Sequence, residues 1–141
     1  MNKISFEHIQ EYLKEVQNSV KKGRYRIDTN SKRQKNRILY TDYVIDEKLS
    51  KEILLSLGPH DFSEIVNNEH KGFEHEHLYI FGKKVRLLER FGNSEKQVSL
   101  YIKFNKLENA FVIVISFHEE EYPLDYPFRV SMQEDCDKEE Q

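Results

Sequence analysis

Apolar residues near the start of the chain recur at steps of four and three: Ile9, Leu13, Val16 and Val20, between Ser5 and Lys22. Such steps put one apolar stripe on an amphipathic helix. Ser5 is placed to cap it, and Gly23 stands where a helix often ends in the left-handed region. Arg24–Ile27 reads as a short strand or an extended arm, and residues 28–37 as a polar, turn-like segment. A second helix follows, with Asp46 as its N-cap, Leu49, Ile53, Leu54 and Leu57 on one face, and Gly58-Pro59 as its stop. Beyond Pro59 the period shortens to that of strands. Phe62–Val66 is a short candidate. His77–Phe81 and Val85–Leu88 flank Gly82-Lys83-Lys84, forming either a hairpin or one long bent strand. Val98–Phe104 alternates, with Leu100, Ile102 and Phe104 on one face and Tyr101 and Lys103 on the other. Phe111–Phe117 is apolar on both faces, the mark of a central strand. Strict alternation there would group Val112, Val114, Ser116 and His118 against Phe111, Ile113, Ile115 and Phe117. The pattern predicts an α+β fold, with two N-terminal helices packed on an antiparallel sheet of about four to five strands.

Length and composition sharpen this. With 141 residues the chain favours one domain, taken as 1–130, followed by an acidic tail over 131–141 expected to be disordered. Charged residues make up 33% of it, yet nine Phe and eight Tyr can still fill a core. The single Cys136 excludes an internal disulfide framework and a four-cysteine zinc site, and its acidic neighbours would suppress a catalytic thiolate. Charges interrupt the first twenty residues, and no apolar run approaches the roughly 18 residues that cross a bilayer. The expectation is a soluble cytoplasmic protein with no membrane partner.

Net charge is −3, but it is unevenly spread. The last eight residues contribute −4, leaving +1 for the other 133. Residues 21–37 carry eight Lys or Arg against Asp28 alone. Arg24, Arg26 and Arg33 in that segment are candidate phosphate contacts, although on charge alone a solvated surface loop is the simpler account.

Candidate chemistry gathers at strand ends. His118 is the first ionisable residue on the apolar run and precedes Glu119-Glu120-Glu121. A histidine leaving a buried strand is readily tuned across neutrality, which suits proton transfer. Tyr101 and Lys103 share a strand face, so a hydroxyl and an ammonium can converge on one phosphate. His70, Glu74, His75, Glu76 and His77 form a cluster in which His75 and His77 would share a strand face. The spacing matches no zinc motif, and a surface cluster is the favoured reading over a metallohydrolase. Walker A, GxGxxG and GxSxG patterns are absent from the sequence.

The order of these features resembles a known family. Val20-Lys21-Lys22-Gly23 closes the first helix, and a basic arm follows. Then come Tyr43-Val44-Ile45-Asp46, a helix ending Ile53-Leu54-Leu55-Ser56-Leu57, Asp61-Phe62, and Leu78-Tyr79. Leu100-Tyr101-Ile102-Lys103-Phe104 and Val114-Ile115-Ser116-Phe117-His118-Glu119 complete the series. Across residues 9–121 this resembles the MqsR (motility quorum-sensing regulator) toxins of the RelE-like toxin–antitoxin group. The resemblance implies a RelE-like fold and a type II toxin acting as a metal- and cofactor-independent endoribonuclease. Such a toxin cleaves messenger RNA, free or on the ribosome, arrests growth and is silenced by a cognate antitoxin. The family's catalytic tyrosine falls on Tyr101; its lysine after Asp-Phe falls on Glu64, its glutamine before Leu-Tyr near Glu76, and its last-strand lysine on His118. These replacements suggest Glu76 or Glu64 as base, His118 as acid, and Lys103 with Arg86 or Arg90 on the phosphate. The alternative is a non-catalytic RNA- or protein-binding module on the same fold.

Overall fold

The computed structural model describes residues 4–30 and 32–129. The acidic tail and Cys136 lie outside the described residues. Helix α1 (Phe6–Lys21) is capped by Ser5, whose hydroxyl accepts the His8 amide at 3.0 Å, and buries Ile9, Leu13, Val16 and Val20 as the pattern requires. It ends at Gly23, whose φ of 74° lies in the left-handed region. Strand β1 (Tyr25–Ile27) follows, then α2 (Gln34–Asp42) and α3 (Glu47–Leu55), the last capped by Asp46 through the Leu49 amide at 2.8 Å. After a short 3-10 turn (Pro59–Asp61) come β2 (Phe62–Asn67), β3 (His77–Leu88), β4 (Glu95–Lys106) and β5 (Val112–Glu119).

The fold is α+β with three helices, not two. The extra helix, α2, overlaps the segment read as a polar turn. It carries little periodic signal because Asn36 and Leu39 are its only buried residues. Its position is decided by partners distant in sequence.

The five strands form one sheet in the order β1-β5-β4-β3-β2. From β2 to β5 it is an antiparallel meander; β1 runs parallel to β5, pairing Tyr25 with Val112 and Ile27 with Val114, so the sheet is mixed. The strand reading of 24–27 thus holds, and β5 is interior because β1 covers its outer edge. Between Tyr79 and Leu88, β3 pairs with β4 without a break, so the segment through Gly82 is one long strand. A bulge separates the Lys103–Ser116 pair from the Phe104–Val114 pair. It breaks the strict alternation expected for β5. Phe117 joins Val112 and Val114 in the core, while Ser116 and His118 stay on the face of Lys103 and Tyr101.

Helices α1 and α3 cover one face. Ile9, Val16 and Leu54 meet Phe62, Phe81, Phe104 and Phe117, all at most 2% exposed. Each such side chain adds roughly 1.5–3 kcal/mol on burial. Helix α2 lies along β5 beyond the reach of β1. After β5 the chain crosses the other face as a strap: Glu120 donates its amide to Ser99 O at 2.8 Å, and Arg129 pairs with Asp61 at 2.6 Å and donates to His60 O at 2.7 Å. Among the described residues no helix is long and apolar enough to cross a membrane.

Candidate active site

On the sheet face away from α1 and α3, strand register brings four polar side chains together. Tyr101 is paired with His118, and Lys103 with Ser116. The Tyr101 and His118 rings stack with centroids 5.1 Å apart and planes 13° from parallel. Lys103 Nζ sits 6.0 Å from the Tyr101 ring centre. The start of α2 forms a second wall with Lys32, Arg33 and Lys35, and Glu121 and Tyr122 of the strap form a third. Together they enclose an open cavity of about 500 Å³.

Asn36 holds two of these walls in place. It is 1% exposed, and its side-chain amide donates to Asp28 O at 2.7 Å and to Ile115 O at 2.9 Å, while its carbonyl accepts from the Phe117 amide at 2.8 Å. Those two β5 groups are the ones a parallel strand opposite Ser116 would use. One carboxamide therefore continues the pairing where β1 stops, satisfying backbone groups that would otherwise be buried unpaired.

The cavity is cationic. Arg33 is engaged by Asp28 at 3.3 Å and Lys35 by Glu121 at 2.5 Å; Lys103 forms no ion pair among the described residues. No side chain caps the first turn of α2 and no acidic residue sits in it, so its free amides add to the positive potential. Burial pushes the Lys103 ammonium below its ordinary value and nearby Arg33 pushes it further, opposed by Glu69. Burial also lowers His118, assisted by Lys35 and Lys103 and opposed by its bond to the Glu119 carbonyl and by Glu121. Tyr101 is raised, first by burial and then by Tyr122, Glu64 and Glu121, so its phenol keeps its proton. His118 Nδ1 lies 2.9 Å from Glu119 O. A carbonyl can only accept, so in the neutral ring Nδ1 carries the hydrogen and Nε2 presents a free lone pair.

Of the residues singled out in the sequence, Tyr101, Lys103, His118 and Arg33 line this cavity together. Glu64 pairs with Ile80 on the same sheet face and is near enough to raise the Tyr101 phenol, but it does not line the cavity. Glu76 is elsewhere. Its carboxylate accepts from Asn68 and Asn105, both at 2.9 Å, in a second hollow beside Tyr12 and Tyr79. Asn105 lies four positions along β4 from Tyr101, so Glu76 does not reach the Tyr101–His118 pair to act as a base there. Arg86 sits towards the far end of β3, 3.5 Å from Glu95. Arg90 donates to the carbonyls of Tyr40 and Tyr43, clamping the end of α2, and Arg24 donates to Asn109 O at 2.9 Å. Arg26 stands exposed on β1 opposite Ile113. None of these four arginines lines the cavity. His70, His75 and His77 do not converge; among the described residues no three His, Cys, Asp or Glu side chains gather in a metal-ligating group.

Lys32, Lys35, Asn36, Ser116, Glu121 and Tyr122 were not singled out from the sequence. The charge of 21–37 signalled the two lysines, and the acidic run after His118 signalled Glu121. Nothing local marked Asn36 or Tyr122. No protein-family model matches this chain, and no curated protein or solved structure matches it. Function is therefore argued from the site itself.

Proposed function

We propose that the cavity binds a phosphodiester of single-stranded RNA and cleaves it, with the protein acting as a metal-independent endoribonuclease toxin of RelE-like architecture. The observation that carries this reading is the convergence of a neutral histidine, a protonated phenol and an ammonium with no ion pair among the described residues in one cationic cavity. His118 Nε2 takes the proton of the ribose 2′-hydroxyl, and the freed oxygen attacks the adjacent phosphorus. Lys103, Lys32 and the α2 amides stabilise the added negative charge. The 5′-oxygen leaves with a proton from Lys103 or Tyr101, giving a 2′,3′-cyclic phosphate and a 5′-hydroxyl. This arrangement makes His118 the base, where the replacements read in the sequence suggested an acid, and leaves the carboxylates out of the proton transfers. The partner this reading implies is an antitoxin protein that covers the cavity.

The test uses purified protein and single-stranded RNA in the presence of a metal chelator, with induced expression in a bacterium alongside. Cleavage and growth arrest are expected, with at least a hundredfold loss of cleavage rate in His118→Ala. Unchanged toxicity and cleavage in both His118→Ala and Tyr101→Phe would overturn the assignment. RNA binding without cleavage would make the protein a binding module.

A further inference from the structure

Glu121 is the single carboxylate among the residues lining the cavity, and it is bonded to Lys35 at 2.5 Å. Both side chains of this pair are 57% exposed, so what is held in place is the backbone that carries Glu121. The strap that carries it is fixed on one side by the Glu120–Ser99 backbone bond and on the other by Arg129, which pairs with Asp61. Between these points Tyr126 lies across Gly82 so closely that a Cβ there would meet its hydroxyl at 2.0 Å. The fold thus delivers one anion to a cavity otherwise walled by four cations.

We propose that Glu121 is the cavity's built-in competitor: its carboxylate occupies Lys35 until an RNA phosphate displaces it, so the strap sets the affinity of the site. The inference rests on the reading of the cavity as a phosphodiester site, but not on cleavage. Lys35 then has two states, held by Glu121 or turned to the phosphate, and only the second contributes to RNA binding. Lys35 holds the Glu121 carboxyl below its usual range, so the competitor is charged at neutral pH. Because Glu121 also opposes the lowering of His118, displacing it changes the charge felt by that ring. The same contact that limits affinity therefore couples ligand entry to the histidine.

The decisive experiment measures binding of a short single-stranded oligoribonucleotide carrying 2′-O-methyl groups, which lacks the attacking hydroxyl and cannot be cut. Wild type is compared with Glu121→Gln, Lys35→Met, the double variant, and Glu108→Gln, which makes the same change in net charge at an exposed turn outside the cavity. Glu121→Gln should bind about threefold to tenfold tighter, and Lys35→Met should abolish that gain while costing wild type little. Glu108→Gln should stay within about twofold of wild type. In Glu121→Gln without RNA, the His118 titration followed by NMR should move to lower pH. Equal or weaker binding by Glu121→Gln, or an equal gain in Glu108→Gln, would overturn the competitor while leaving the cavity reading intact. Absence of binding by both wild type and Glu121→Gln would overturn both.

Discussion

At the residue scale, the proposed chemistry depends on what burial does to two ordinary side chains. Half-buried among cations, His118 resists protonation, and Lys103 yields its proton more readily than a lysine in water. On the proposed mechanism, a base that must be neutral and a cation that must be charged give a bell-shaped dependence of kcat/KM on pH. Its acid limb should fall below the ordinary histidine value of 6.5, and its alkaline limb below the ordinary lysine value of 10.5. Replacing Lys103 by Met should remove the alkaline limb along with most of the activity. Rates that keep rising from pH 7 to pH 9 with an acid limb above 7 would exclude His118 as the base. Folding is linked to the same ring. Because its pKa is lowered in the folded state, the unfolded chain takes up the proton first, and stability is lost as pH falls from about 6.5.

At the scale of elements, a short helix and a strap are held by few contacts, and each contact is testable. Asn36 substitutes for a missing stretch of β1. Its replacement by Leu keeps the bulk but leaves Ile115 O and the Phe117 amide buried without partners. The expected cost is about 2–4 kcal/mol in urea unfolding, with faster hydrogen exchange at the Phe117 amide. A loss below about 1 kcal/mol would mean that α2 is held on β5 by other contacts. Gly82 answers to the strap instead. Gly82→Ala should destabilise by about 1–3 kcal/mol because the Tyr126 hydroxyl has to move. Tyr126→Ala should relieve that penalty when the two are combined; additive losses would show that the close approach does not matter.

At the scale of the whole molecule, charge is segregated rather than abundant. The chain is net negative, yet the cavity gathers Lys32, Arg33, Lys35 and Lys103 on one side of the sheet. Asp28 and Glu121 already neutralise two of the four cations. About two to three RNA phosphates should therefore be neutralised on binding, for a slope of log K against log salt near −1.5 to −2. A slope of −5 or steeper, measured by titration between 50 and 200 mM salt, would show that RNA runs over a much larger basic surface.

The chain's own periodicity determined α1 and α3, whose apolar faces are regular and whose caps are local, and the strand character of the segments from Phe62 to Phe117, but it left open whether the segment through Gly82 was one strand or a hairpin. Ser5, Asp46 and Gly23 could be read in advance for that reason. The shared strand face of Tyr101 and Lys103, and the strand-end place of His118, were legible too. The tertiary structure decided what depended on distant partners. A three-residue β1 has too little length to signal its parallel pairing, and α2 forms around an asparagine bonded to a strand about eighty residues away. The bulge that turned Phe117 into the core left no mark in an apolar run, since Ile115 and Phe117 read alike. The same limit applied to the site. Alternation along one strand gave two of its residues; pairing of β4 with β5 set His118 beside them, while the pairing of β3 with β4 and the bonds of Glu76 to Asn68 and Asn105 placed Arg86 and Glu76 too far away. Only the path of the strap placed Glu121 in the cavity.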